Sequence, residues 1–185
     1  DEARPDFIAA DLLSQAEHGP DSQVIFVTTD EAYLNLVHFA LDEQLKQLPR
    51  KEIAEQALAN SKMIVVKDME EALRLSNFYA PEHLILQVRD AEEVAQHVVN
   101  AGSVFLGHYT PESAGDYASG TNHTLPTNGY ATAFSGVSLD SFVKKITFQK
   151  ISREGLQQLG GTIEIMAENE ELFAHKNAVS IRIKK

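Results

Sequence analysis

Met63–Leu106 reads MIVVKDMEEALRLSNFYAPEHLILQVRDAEEVAQHVVNAGSVFL. It contains three short apolar runs, Met63–Val66 (MIVV), Leu84–Val88 (LILQV) and Ser103–Leu106 (SVFL). Short runs with little polar alternation describe strands covered on both faces. Each gap between them carries a helix-start signal. Asp68 with Glu71 three residues on has the form of a capping box and opens a helix to about Tyr79. Asp90 with Glu93 opens another to about Asn100. Strands alternating with helices define an α/β domain around a largely parallel sheet.

The same alternation extends upstream. Residues 6–17 place Phe7, Ile8, Leu12 and Leu13 on one helical face, and Gln23–Thr28 (QVIFVT) reads as a buried strand. Asp30 is positioned as the N-cap of a helix to about Lys46, which Pro49 ends, and a further helix covers roughly 50–60. Downstream the pattern stops. Gly107–Gly136 is rich in Gly, Ser, Thr and Pro without periodicity, and a loop of that length in a compact domain is usually functional or disordered. Lys145–Lys150 (KITFQK) alternates as a strand does, 152–168 and 169–177 read as helices, and Val179–Ile183 alternates again. Two domains follow, 1–137 with the sheet and 138–185 as a small α-rich unit.

The 185 residues carry 16 Lys plus Arg against 27 Asp plus Glu, a formal net charge of −11. That field repels phosphate backbones and anionic lipid, which argues against nucleic acid and membranes as partners, and it favours a small cationic substrate. No run approaches the length of a membrane span, and no signal peptide is visible. The absence of cysteine excludes a disulfide framework and thiolate zinc ligands, and is compatible with a cytoplasmic protein. The chain opens at Asp1, without an initiator Met, directly before a helical pattern, which reads as a piece of something longer.

Several residues have chemistry to offer. His38, His97 and His108 have nothing distinctive nearby and read as surface or satisfied histidines. In SQAEHG, Gln15 and His18 stand three apart and share a helical face. At about 100° per residue, Gln15 falls roughly 20° around the axis from Ile8, inside the apolar stripe, where an amide needs a partner. The pair serves one ligand, or Gln15 bonds backbone and His18 simply precedes the stop signal Gly19-Pro20. In YAPEHL, Glu82 and His83 sit at a helix-to-strand junction, since Pro81 biases Ala80 away from helix. Adjacent Glu and His can act as two bases of different strength, or form a solvated polar pair at a turn.

GDYASGTNH, Gly115–His123, is the strongest local signal: Asp116 is a hard anionic ligand, His123 an imidazole, and the glycines permit a tight loop. In NEELFAHKN, Glu171 and His175 are i, i+4 neighbours and Glu170 lies one residue further off, a pattern that an exposed acidic helix also produces. Gln15, His18, Asp116 and His175 together make an N/O set suited to zinc or another divalent metal, although spacing alone does not bring them together.

Taken jointly, SQAEHGPDSQ, YAPEHL, AGSVFLGHYTPESAGDYASGTNHTLPT and EELFAHKNAVSIR resemble the segments that define histidinol dehydrogenases, in that family's order and spacing across essentially the whole chain. The resemblance implies an incomplete Rossmann-like domain at 1–137 and a C-terminal dimerisation domain at 138–185. It implies zinc on Gln15, His18, Asp116 and His175, a base pair of Glu82 and His83, and substrate contacts from Gln15, His18, His83, Asp116, His123, Glu170 and His175. The family oxidises L-histidinol to L-histidine through the aldehyde with two NAD, in histidine biosynthesis. Its members are longer than this chain and form homodimers whose C-terminal domains exchange. That implies Glu170 and His175 serving the partner's site, NAD contacts mostly outside this segment, and an inactive fragment. No Gly-rich dinucleotide fingerprint occurs here. Two other readings remain, a metal-dependent hydrolase or lyase working without NAD, and a non-catalytic dimerisation module.

Overall fold

The computed structural model describes residues 3–184, and the chain divides into two compact units, Asp1–Phe142 and Val143–Lys185. In the first unit the elements run α1 (Pro5–Ala16), β1 (Ile25–Thr28), α2 (Glu31–Leu45), α3 (Lys51–Ala59), β2 (Lys62–Val65), α4 (Met69–Tyr79), β3 (His83–Leu86), α5 (Ala91–Ala95), β4 (Ser103–Leu106) and α6 (Glu112–Tyr117). The strands pair as two parallel ladders, β1 with β2 and β3 with β4, rather than as one continuous sheet. The α/β class, with small parallel sheets and flanking helices, is as the strand–helix alternation indicates. No helix among the described residues is long and apolar enough to cross a membrane.

Local chemistry explains the boundaries. Pro5 opens α1 where a missing N–H costs nothing. The Asp30 carboxylate accepts from the backbone N–H groups of Ala32 and Tyr33 at 2.8 and 3.3 Å and so caps α2. At α4, Asp68 accepts from the Glu71 N–H at 2.9 Å, while the Glu71 carboxylate accepts from the N–H of Lys67 at 2.7 Å. The capping box therefore closes one residue earlier than its usual form.

The expected helix to Asn100 stops at Ala95. Asn77 supplies the reason: its side chain accepts from the N–H groups of Val99 and Asn100 and donates to the His97 carbonyl, drawing 97–100 into a loop. A side chain has outcompeted the helical ladder.

The core of this unit lies where α1, α2 and α3 meet. Ala9, Leu13 and Ala16 of α1 pack on Leu41 of α2 and on Ala54 and Ala57 of α3, and Ile8, Phe26 and Val37 form an adjoining cluster. Four alanines there let the helix backbones approach closely. That fixes α1, and with it the residues at its C-terminal end.

The second unit contains α7 (Arg153–Asn169) and α8 (Phe173–Ile183), packed as a hairpin. Ser152 caps α7 by accepting from the Gly155 N–H. Glu171, with φ of 59°, turns the chain between the helices, so the second helix begins at Phe173 rather than 169. Two strand expectations fail here. Residues 145–150 form no strand, because no described segment pairs with them to satisfy a ladder. Val179–Ile183 lies inside α8, where Val179 and Ile183 are i, i+4 neighbours that both pack against Gly160 of α7. A five-residue apolar alternation fits either period, and the packing against a glycine decides for helix.

Candidate active site

The site is built on the β3–β4 ladder. Helix α4 ends at Ala80 in the left-handed region (φ 53°, ψ 65°), and Pro81 then delivers Glu82 and His83 to the start of β3. The N–H groups of Gly102 and Ser103 donate to the carbonyls of Pro81 and Glu82, both at 2.9 Å, and lock this junction to β4. Gly102 is required for that approach, since a Cβ there would lie 2.5 Å from the Glu82 carbonyl oxygen.

Side chains alternate along β3, so His83, Ile85 and Gln87 share one face. On β4, Phe105 pairs with Ile85 and lies on the same face, its ring 5.9 Å from the His83 imidazole. Helix α6 covers this face. Its Gly115 rests against Phe105, where a Cβ would come within 2.6 Å of the ring. The missing side chain lets α6 descend, and Glu112 and Asp116, one turn apart, reach His83. Ligand atoms of His83, Glu112 and Asp116 all lie within 4.8 Å of one another. Glu112 is buried, and its Oε1 stands 3.7 Å from His83 Nδ1. The other ring nitrogen, Nε2, is buried without a hydrogen-bond partner among the described residues.

Burial raises the Glu82 carboxyl above its ordinary value; the Asp116 charge adds to the rise and His18 opposes it. Burial lowers His83, with Asp116 acting upward and His18 downward. Glu112 is pushed up to about 7, by burial first and then by the charges of Asp116, Glu82 and Asp11. These cross-effects place His18, Glu82, His83, Glu112 and Asp116 in one electrostatic neighbourhood, although His18 and Asp116 come from distant parts of the chain. Carboxyls outnumber cations there, as a cationic ligand requires.

Gln15 is half-buried on α1, one turn before His18, and α1 packs against α6. His18 is exposed just past the helix end, its carbonyl accepting from Arg50 at 3.5 Å. His123 is exposed on the loop after α6. Glu170 and His175 belong to the second unit, where both are exposed.

The family-model comparison matches residues 1–183 to a family described as histidinol dehydrogenase. The chain belongs to the histidinol dehydrogenase family. Histidinol dehydrogenase of Bacteroides fragilis strain YCH46 is 65% identical over 98% of this chain. The Pectobacterium atrosepticum histidinol dehydrogenase is 56% identical over the same share. A crystal structure of histidinol dehydrogenase from Elizabethkingia anophelis superposes with a TM-score of 0.93 at 62% identity, covering 98% of this chain. The chain spans 42% of the Bacteroides relative and 42% of the solved chain.

Two acidic residues at the site, Glu112 and Asp11, carry no clear signal in the sequence. Glu112 and Asp116 are i, i+4 on a helical turn, a signal hidden because the Gly- and Ser-rich stretch reads as aperiodic loop. Asp11 stands four residues before Gln15 and seven before His18, on the same face of α1. It accepts from Gln87 Nε2 at 2.6 Å, and burial raises it from 3.8 to about 6.

The Asp11 shift makes a stability prediction. The folded chain holds the Asp11 proton more tightly than the unfolded one, so stability falls as pH rises from about 4 to about 6. A shift of that size corresponds to about 3 kcal/mol. Solvent at this half-buried group cuts it to about 1–2 kcal/mol. Asp11→Asn, whose side-chain oxygen still accepts from Gln87, is expected to exceed the parent by that margin at pH 8 and to match it at pH 4. Denaturant unfolding at both pH values checks this.

Proposed function

We propose that this chain supplies the base pair and most of the metal ligands of an enzyme that oxidises L-histidinol to L-histidine in two NAD-dependent steps. The convergence of His18, Glu82, His83 and Asp116 on one acidic, partly buried face carries the reading. Zinc fits the donors. Gln15, His18 and Asp116 offer amide oxygen, imidazole nitrogen and carboxylate, and the chain has no cysteine. The Asp116 side chain has no hydrogen bond or ion pair among the described residues, and it lies close to the carboxyls of Glu82 and Glu112, whose mutual repulsion a dication relieves. His175, on the second unit, completes the set, with that unit serving as the exchanged dimerisation arm.

When bound, zinc would hold and polarise the substrate's donor atoms, and a nicotinamide dinucleotide, whose contacts lie mostly outside this segment, would accept the hydride. The residues of this chain do the proton work. Burial favours the neutral form of His83, and its Nε2, without a partner among the described residues, removes the proton from the alcohol oxygen as the aldehyde forms. Glu82 takes a proton from the water that adds to the aldehyde, giving the hydrate from which the second oxidation proceeds. Glu170 and His123 contribute further polar contacts to the substrate.

The test is stoichiometric. Purified full-length protein given L-histidinol and excess NAD is expected to form two NADH and one L-histidine per substrate consumed. Metal-dependent hydrolysis or elimination without NADH would overturn the reading, as would a protein that dimerises and turns over nothing.

A further inference from the structure

The mechanism above uses Glu82 and His83 and leaves Glu112 without a task. Yet Glu112 is buried, 5% exposed, and its carboxyl faces the His83 imidazole. Burying a carboxyl beside other carboxyls is costly, and nothing in the packing of α6 demands it. Helix α6 is short, its Pro111 cap forms no side-chain bond, and an apolar residue at 112 would serve burial better.

The imidazole itself is asymmetrically placed. Nδ1 looks at Glu112 Oε1 across 3.7 Å, and Nε2 is buried with no partner among the described residues. A neutral imidazole carries its proton on one nitrogen, and the hydrogen bond made there decides which nitrogen is the base. With the proton on Nδ1, directed at Glu112, the lone pair is on Nε2. With the proton on Nε2, the ring has no base to present. Small rotations close such a gap to hydrogen-bond length when substrate fills the site.

We infer that Glu112 is the positioning residue of His83, accepting the Nδ1 proton and so holding Nε2 as the proton acceptor. The inference rests on His83 being the base of the proposed dehydrogenase. Phe105 fixes the plane of the ring from one side, and Glu112 fixes its tautomer from the other. Gly115 makes both contacts possible by letting α6 lie on Phe105. Asp116 and Glu82 set the local field without facing Nδ1 in a comparable ion-pair contact.

Full-length protein tests this, with assays at pH 9, where Glu112 is ionised. Glu112→Gln is expected to lower kcat about 10- to 100-fold, the usual effect of losing a partner that orients a functional histidine. KM should stay within a few-fold, since a residue that orients the base does not itself hold the substrate. Glu112→Asp should recover part of kcat. An unchanged kcat in Glu112→Gln overturns the inference. Should that variant fail to fold, Glu112→Asp decides: a lower kcat at a near-constant KM supports the role, and a wild-type kcat removes it. Nitrogen-15 spectra of the histidine-labelled protein, with His83→Asn to assign the signal, give a readout independent of turnover. A wild-type Nε2–H tautomer overturns the inference even if the enzyme is active. Absence of NADH formation by the wild type, with an Nδ1–H tautomer present, counts instead against the dehydrogenase reading.

Discussion

Replacing His83 by asparagine in the full-length protein is expected to lower kcat by about a hundred- to ten-thousand-fold, the range that removal of a general base produces. His83 begins β3, where the rung formed by Gly102 and Ser103 holds its backbone, and Phe105 and Glu112 hold its ring. Its Nε2 is buried and unpartnered among the described residues, so no existing bond to them must break before it accepts a proton. Asparagine fills part of the space but offers no base in this pH range. The local loss of packing costs of the order of 1–2 kcal/mol, which leaves the protein folded. His83 is not among the proposed zinc ligands, but its ring nitrogen lies within 4.8 Å of donor atoms of Glu112 and Asp116, so metal analysis of the variant accompanies the assay.

Glu82→Gln gives a different expected result that separates the two oxidations. Its effect falls mainly on the water-dependent step, so NADH per histidinol should drop from two toward one as aldehyde escapes. Rapid-quench measurement of the first hydride transfer alongside steady-state turnover checks both variants. Equal losses in both steps for Glu82→Gln would remove its assignment to water. A His83→Asn enzyme within threefold of wild type would remove the base.

The parts of this fold that were legible in sequence are those where local chemistry and burial agree. Ser103–Leu106 is strand end to end, and Asp30 and Asp68 cap the helices their positions suggest. The junction at Pro81 was legible too, although Ala80 takes a left-handed conformation that a pre-proline bias alone does not specify. Misreadings arose where a distant side chain or a missing partner decides. Asn77 truncates α5 from twenty residues away in sequence, and 145–150 has strand composition without a described strand beside it. Residue pattern contains neither fact. The site followed the same division. Glu82 with His83, and Asp116, announce themselves by type and context. Their meeting with His18 depends on α1 docking across α6, which no spacing encodes. Glu112 was missed because a six-residue helix inside a Gly- and Ser-rich stretch has too few turns to show a period.

The isolated 185-residue chain is expected to form no NADH from histidinol, while retaining a partial metal site. Both halves of that expectation follow from what the chain carries. It contains no Gly-rich dinucleotide fingerprint, and it spans 42% of the Bacteroides histidinol dehydrogenase. Positioning donor carbon against acceptor accounts for several kcal/mol of barrier in such reactions, and a base pair alone does not replace it. The proposed metal donors are divided differently. Gln15, His18 and Asp116 lie in the first unit and His175 in the second. Three donors beside raised carboxyls still attract a dication. His18→Ala removes the imidazole donor and should weaken zinc binding at least about tenfold. Calorimetric zinc titration at pH 8 of the chain and of this variant, with metal analysis of each, checks the assignment. An affinity unmoved by the substitution would place the metal elsewhere. Measurable NAD reduction by the 185-residue chain would show that the dinucleotide site lies within it after all.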